Sequence, residues 1–411
     1  MTTISIGSDF ATHAQSVRRI FLVAGEASGD ILGSGLMAAL DEARPGQFAF
    51  SGVGGPLMQA HGLRTLFPIS DIAVMGIGPV LARLPLILRR ISETAAAAVA
   101  LKPDAIVLID SPDFTHRVAA KIRRALPDTP IVVYVSPTVW FWRPGRAAKL
   151  ARFCNRLLAL LPFEPAAHAL LGGPPTTYVG HPFIEKQARV QPRHDRDEAP
   201  LSSQRRPNIL VLPGSRRSEI RRLMAPFGEA LELLHNRIGP FDLTLPVVEH
   251  VRADVERALA DWKVRPVLVS GEAAKLAAFA SADAALAASG TVTLELSLSH
   301  VPTVAAYRLD WIGRWVKYLL RPPKALASLK LVRSAQLTNV IVNAFVLPEF
   351  IDADCTPMAL ADALECLLRD TPERRRQIEA FAKLTQIMQP TLGFRPNSEA
   401  AKAVLALLPE V

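Results

Sequence analysis

The 411-residue chain carries three cysteines, nine histidines and only 6% aromatic residues, and it has no long unbroken apolar run. Each scarcity removes a class of protein. Cys154, Cys355 and Cys366 are odd in number and lie in apolar or helical surroundings, which argues against a disulfide framework and for a reducing compartment. The histidines form no H-E-x-x-H and no Cys/His ligand spacing, so no transition-metal site is expected, and no cofactor is expected either. No glycine loop is followed by a Walker lysine, which disfavours a P-loop nucleotidase. No segment reaches the roughly 20 apolar residues that span a bilayer, because Arg83, Pro85, Arg89 and Arg90 interrupt the most apolar candidate. The opening MTTISIGSDFATHAQS lacks the charged start and apolar centre of a secretory signal, so the expectation is a protein that stays inside, with only peripheral membrane contact. Short-period repeats are missing too, which excludes solenoids.

What is present is apolar bulk and positive charge. Half the residues are hydrophobic, enough for two domains with a core each. The 47 Lys and Arg against 38 Asp and Glu give a formal charge of +9, which favours anionic partners without choosing among phosphates, nucleic acid and an acidic membrane.

One device occurs twice. At Ile20–Asp30 (IFLVAGEASGD) and at Asn208–Glu219 (NILVLPGSRRSE), a β-branched run ends in a glycine turn that opens an amphipathic helix. Such a corner aims backbone N–H groups and the positive end of a helix dipole at one point, where an anion can be held. Around it, strands are predicted at 20–24, 104–109, 131–135 and 157–161, alternating with helices at 31–42, 88–101 and 145–153, the pattern of a parallel doubly wound sheet. Residues 184–207 lose periodicity and become charged and Pro/Ser-rich; the linker is drawn at 186–207, after an N-terminal domain of 1–185. A second α/β series follows in 208–385, with strands near 208–212, 242–247, 266–269, 284–287 and 303–306 and helices at 217–237, 251–261, 272–280 and 291–299. Residues 357–369 and 398–408 read as helices, the last capped by Ser398, and the tail 386–411 is expected to brace the first domain.

Several motifs divide between chemistry and packing. Gly33-Ser34-Gly35-Leu36-Met37-Ala38 matches G-x-G-x-x-A but begins nine residues beyond the strand end at Ala24, so it reads as helix packing. Asp352-Ala353-Asp354 reads as a solvated loop in preference to a metal pair. Ile109-Asp110-Ser111-Pro112-Asp113-Phe114 puts two carboxylates at the carboxyl end of a strand, where open α/β sheets bind ligands. Asp113 is the candidate general base, and Asp110 either orients it or caps the next helix. Ser136–Arg143 (SPTVWFWR) concentrates aromatics beside an arginine, so Trp140 and Arg143 read as a wall for sugar or acyl groups with a phosphate contact, or else as core. In the second half, Gly214-Ser215-Arg216 and Ser289-Gly290-Thr291 suit a diphosphate. Glu295, one helical turn after Thr291, suits ribose hydroxyls or a salt bridge.

With these motifs in view, the chain resembles the lipid-A-disaccharide synthase family over nearly its whole length. The carriers are GEASGD at 25–30, GVGGPLM at 52–58, AVMGI at 73–77, IDSPDF at 109–114, YVSPTVWFWR at 134–143, LPFE at 161–164, VGHP at 179–182, LPGSRRSEI at 212–220, ASGTVTLE at 288–295 and the segment around Asn339. The resemblance implies a GT-B fold, two Rossmann-like domains facing a cleft, with C-terminal helices returning to the first. It implies an inverting transfer of 2,3-diacylglucosamine from UDP onto the 6-hydroxyl of 2,3-diacylglucosamine 1-phosphate (lipid X), without metal and without a nucleic-acid partner, on the inner face of the inner membrane. Asp113 and Asp110 would be catalytic. Gly214, Ser215, Arg216, Ser289, Gly290, Thr291, Glu295 and Asn339 would bind UDP. Glu26, Ser28, Gly29, Met75, Trp140 and Arg143 would line the acceptor and lipid side. The chain departs from the family pattern at Gly78-Pro79, Thr338 and Asp352. Val80–Ile91 and Trp311–Arg333 mix bulky apolar residues with cations, as an interfacial surface facing anionic lipid would. A hexosamine 2-epimerase on the same architecture and a non-catalytic UDP-sugar-binding protein are the competing readings. Homodimerisation stays open.

Overall fold

The structure, a computed structural model, describes residues 17–73, 83–187, 199–202, 205–309 and 324–408. Two wholly parallel sheets carry the fold. The first takes β1 (Arg18–Ala24), β2 (Phe48–Val53), β3 (Arg64–Thr65), β4 (Ala105–Ile109), β5 (Ile131–Tyr134), β6 (Arg156–Ala159) and β7 (Thr176–Tyr178) in the order β3-β2-β1-β4-β5-β6-β7. The second takes β8 (Asn208–Leu212), β9 (Asp242–Pro246), β10 (Val267–Val269), β11 (Ala284–Ala288), β12 (Thr303–Tyr307) and β13 (Glu349–Ile351) in the order β10-β9-β8-β11-β12-β13.

Helices cover both faces of each sheet, so the central strands are apolar throughout instead of alternating. β4 (AIVLI) and β11 (AALAA) are buried at every residue. Each sheet accordingly has a cluster of buried side chains on either face, with Ile20, Leu22 and Val107 on one side of the first and Phe21, Val23 and Leu108 on the other. In each sheet the order reverses once, between β1 and β4 and between β8 and β11. Strand ends flanking such a reversal diverge and leave a crevice at their carboxyl ends, the place where doubly wound sheets hold ligands.

The strands predicted by periodicity occur within a residue or two of their expected bounds, while β2, β3, β7 and β13 carry too little contrast to be seen in advance. Residues 184–187, expected as unstructured, finish a short helix Phe183–Gln187. Toward the tail, a helix at Pro372–Met388 lies outside the predicted elements; its PERRRQ start is polar and charged. The last helix starts at Pro396 instead of being capped by Ser398. Proline presets its first turn, and the Glu185 carboxylate accepts the Asn397 amide at 2.8 Å and its side-chain Nδ2 at 2.8 Å.

This helix, Pro396–Leu405, lies on the helix Ala27–Ala43 of the first sheet, and Ala400, Ala401 and Val404 join the core there. The G-x-G pair makes both approaches possible. A Cβ at Gly33 would stand 2.5 Å from Met58 Sδ, and one at Gly35 would stand 2.5 Å from Asn397 Oδ1, so the motif serves packing. Arg395 adds a forked contact to Glu42 at 3.0 and 3.2 Å.

Candidate active site

The first crevice is built by the loops after β1 and β4. At Gly25 a Cβ would come within 2.2 Å of the Ser111 side chain, so glycine is what lets the two loops touch. Glu26 occupies the N-cap position of Ala27–Ala43 without capping it; its carboxylate accepts from Ser28 Oγ at 2.8 Å. Gly29 is buried within that helix, 3.3 Å in Cβ terms from Ala24, and so lets the helix press onto the sheet.

Across from Glu26, Asp110 and Ser111 are both left-handed, with φ of 53° and 45°. Thr115 Oγ1 locks that kink by donating to Asp110 O at 2.8 Å and Ser111 O at 3.1 Å. Burial, with the neighbouring Glu26 carboxylate, pushes the Asp110 acid up to about 6, against the pull of the Ser111 amide that donates to it at 2.7 Å. The capping reading of Asp110 does not hold, since Ser111 takes the N-cap position of the helix Pro112–Ala125. Asp113 lies in the first turn of that helix, 84% exposed, and receives Arg146 Nη2 at 2.8 Å. Arg146, on the helix Gly145–Leu150, carries no motif in the sequence, because only the fold brings it to Asp113, 33 residues away. His116 also belongs here: burial and the Arg146 charge pull its pKa down to about 4, so it is neutral at ordinary pH.

Asp30 turns out to be a structural anchor. It is buried, and its carboxylate accepts the amides of Gly55 at 2.9 Å and of Leu57 and Met58 at 3.0 Å, which fixes the start of the short helix Pro56–Ala60 in the GVGGPLM segment beside the crevice. Three charge-assisted bonds to one buried carboxylate make this a rigid support. The aromatic loop is partly core: Trp140 meets Phe163 edge-on at 5.2 Å, in a cluster that also contains Phe183, Leu212 and Phe279. Arg143 is exposed and stacks over Trp142 at 4.0 Å. Behind the loop, Ser136 Oγ bonds His168 Nε2 at 2.8 Å, and burial raises the Glu164 acid to about 7. Met75 and Gly78-Pro79 lie outside the described residues, as do residues 80–82 and 311–323 of the two apolar-basic segments. Within the rest of the first segment, Leu84 and Leu88 are exposed while Arg90 is held by Asp71 and Glu93.

The second crevice is a cavity of about 810 Å³ at the carboxyl ends of the strands around β8 and β11. It brings together Gly214, Ser215, Arg216, Ser289, Gly290, Thr291 and Glu295, seven of the eight residues expected to bind nucleotide. Asn339 is the exception and its assignment is corrected. It is fully buried, donates to Leu347 O at 3.0 Å and accepts from the Val346 and Leu347 amides at 3.0 and 2.9 Å, so it pins a loop and has no free bond for a ligand.

Its neighbour Gln336 reaches the site instead. Gln336 Nε2 donates to Ser289 Oγ at 2.8 Å and its oxygen accepts from Thr293 at 2.7 Å, so this buried amide sets the Ser289 hydroxyl. Thr338 donates to Ser297 Oγ at 2.8 Å, and Asp352 accepts the Leu309 amide at 2.8 Å; each departure from the family pattern has a structural duty. The GSR corner also differs from expectation. Glu219, nearly buried, accepts the amides of Ser215 at 3.1 Å and Arg216 at 3.3 Å and one arm of Arg216 at 3.1 Å. The protein's own carboxylate therefore occupies that helix N-terminus. The open one is at Thr291–Leu298, where Gly290 caps without a side chain. Glu295 forms a salt bridge to Lys275 at 2.5 Å.

Two parallel doubly wound sheets, each with its crevice at the strand reversal, define a two-domain α/β protein of the GT-B class. Solved structures agree on the fold. A putative UDP-N-acetylglucosamine 2-epimerase from Listeria monocytogenes superposes with a TM-score of 0.57 at 13% identity, covering 95% of each chain. The glycotransferase of kitacinnamycin gives 0.58 at 14% identity, covering 96% of this chain and all of that one. At the sequence level, the family model "Lipid-A-disaccharide synthetase" matches residues 20–404. The lipid-A-disaccharide synthase of Rhodopseudomonas palustris strain HaA2 is 48% identical over 399 residues, 96% of this chain and 97% of that protein. That of Rhodospirillum centenum is 42% identical over 95% of this chain and 94% of its own. The chain belongs to the lipid-A-disaccharide synthase family.

Proposed function

We propose that the chain joins UDP-2,3-diacylglucosamine to 2,3-diacylglucosamine 1-phosphate, giving the β-1,6 disaccharide 1-phosphate and UDP, with the donor in the β8/β11 cavity and the acceptor at the β1/β4 crevice. The observation that carries this reading is the pairing of two strand-reversal crevices, one holding the Glu26 and Asp110 acids and the other an open helix N-terminus beside Arg216.

The chemistry asks for a base on one side and a sink for negative charge on the other. Asp113, exposed and oriented by Arg146, takes the proton of the acceptor 6-hydroxyl as that oxygen attacks C1 of the donor sugar. The C1–O bond to the β-phosphate breaks, its electron pair leaves with UDP, and the anomeric centre inverts. Arg216 and the free amides at the start of Thr291–Leu298 stabilise the charge growing on the diphosphate. Glu26, Ser28 and Asp110 form a hydrogen-bonded acidic face for sugar hydroxyls. Among the described residues no helix is long and apolar enough to cross a membrane. Exposed Leu84 and Leu88, flanked by exposed Arg83 and Arg89, supply a surface for peripheral contact with anionic lipid on the inner face of the inner membrane.

Incubation of the full-length protein with UDP-2,3-diacylglucosamine and the 1-phosphate acceptor tests donor, acceptor and bond together. Mass analysis should find the disaccharide 1-phosphate with one UDP released per product. UDP-sugar isomerised at C2, or bound without turnover, would replace this reading by an epimerase or a binding protein.

A further inference from the structure

The donor cavity is an arrangement of charges that are already satisfied. Among the described residues, the carboxylates lining it are Glu219, Glu249, Glu272 and Glu295, and the cations are Arg216 and Lys275. Glu219 is spent on the GSR amides and on Arg216. Glu249 lies 3.6 Å from Arg252. Glu272, in the first turn of the helix Glu272–Ser281, receives Lys186 Nζ at 2.8 Å from the short helix that follows β7. Burial pushes the Glu272 acid up, but the Lys186 bond and the charges of Lys275 and Lys186 outweigh it and hold it below its ordinary value. Glu295 is held by Lys275 at 2.5 Å, with both side chains largely shielded, at 18% and 23% exposure. The buried His181 ring lies within the field of both lysines; burial, then Lys186 and Lys275, pull its pKa down to about 4, so it adds no charge.

A nucleoside diphosphate adds negative charges to a cavity whose carboxylates outnumber its cations. Compensating that charge beyond what Arg216 supplies needs a second cation, and that cation must change partner. Arg216 holds Glu219 with one arm of its guanidinium and keeps the other for a phosphate, and Lys186 is committed to Glu272. The Lys275–Glu295 pair has both partners facing the cavity, and a nucleotide offers each a replacement. Phosphate oxygens replace the carboxylate for the ammonium, and ribose hydroxyls, as donors, replace the ammonium for the carboxylate.

We propose that Lys275 is a diphosphate-binding residue held at rest by Glu295, and that donor entry exchanges this ion pair, the ammonium passing to the diphosphate while the carboxylate passes to the ribose. The inference rests on the donor cavity assigned under Proposed function and adds a residue and an order of contacts to it. It has a distinctive consequence. A nucleoside without phosphate must break the pair and repay only one half, so the pair penalises uridine relative to UDP. Removing the ammonium therefore weakens UDP and spares or improves uridine.

The test is calorimetric titration of the full-length protein and its Lys275→Met, Lys275→Gln and Lys275→Arg variants with uridine, UMP and UDP. Lys275→Met should lose roughly 10- to 100-fold in UDP affinity, the size of one charge-assisted contact, with uridine affinity equal to or above wild type. Lys275→Gln covers the case in which an apolar side chain disturbs the helix, and Lys275→Arg should keep most of the UDP affinity. UDP affinity unchanged in both neutral variants, or uridine and UDP weakened in parallel, would overturn the inference, the second because it marks a prop for Glu295 instead of a phosphate ligand. Wild-type protein that binds no UDP would instead remove the donor-cavity assignment, a separate outcome.

Discussion

Asp110 faces Glu26 across the first strand reversal, and the two acids cannot both ionise without cost. Burial and this neighbour lift Asp110 from 3.8 to about 6, so the fold favours its neutral form. Between those values the folded chain keeps a proton that the unfolded chain has released, and stability falls as pH rises through the window, then levels off. Asp110→Asn stays neutral throughout and escapes that loss. Its melting temperature relative to wild type should therefore be higher at pH 8 than at pH 4.5. A difference that is the same at both values would reject the shift.

Asp113 and Arg146 make a second pair, with one member exposed to the crevice. Asp113→Ala should retain UDP affinity and lose transfer by roughly 100-fold or more, as removal of a general base does. Arg146→Met should lower kcat by a smaller factor with UDP affinity unchanged, since it orients the base without touching the donor. Near-normal turnover by the Asp113 variant would move the base to another group, with Asp110 the next candidate.

Arg216 divides its guanidinium between Glu219 and the cavity. Arg216→Ala should weaken UDP roughly tenfold, the scale of one charge-assisted contact, while Glu219 keeps the Ser215 and Arg216 amides and hence the corner. Unchanged UDP affinity by calorimetry would confine Arg216 to a structural duty.

The fold was legible because it rests on local signals. The runs at β1, β4, β8 and β11 are apolar on both faces, and each ends in a turn that only a few residues tolerate, so twin doubly wound sheets follow from pattern alone. Of the candidate site, the placement at a crevice was legible where a residue sits on such a turn, as Asp110, Arg216 and Ser289 do. It failed where the outcome depends on a distant partner. A glutamate three residues into a helix and a phosphate ask the same of the amides, so the sequence could not say that Glu219 had already taken them. Asn339 looked like a nucleotide ligand until Leu347 and Val346, brought back by the loop before β13, claimed its bonds. Lys275 and Arg146 sit on ordinary helix faces, and only the folded chain sets them against Glu295 and Asp113.

Asp30 is the last residue of the GEASGD corner, and its carboxylate is taken by three amides at the start of the short helix Pro56–Ala60 that follows β2. Truncating it leaves those buried donors without an acceptor, which costs more than the bonds were worth. Asp30→Ala should lower the stability of the protein by about 3 kcal/mol, read as a fall in the urea midpoint with an unchanged slope. Asp30→Asn, which keeps one acceptor oxygen, should lose less. Equal stability of the alanine variant and wild type would show that the GVGGPLM loop is held by its apolar contacts through Met58 and Leu63 and not by this carboxylate.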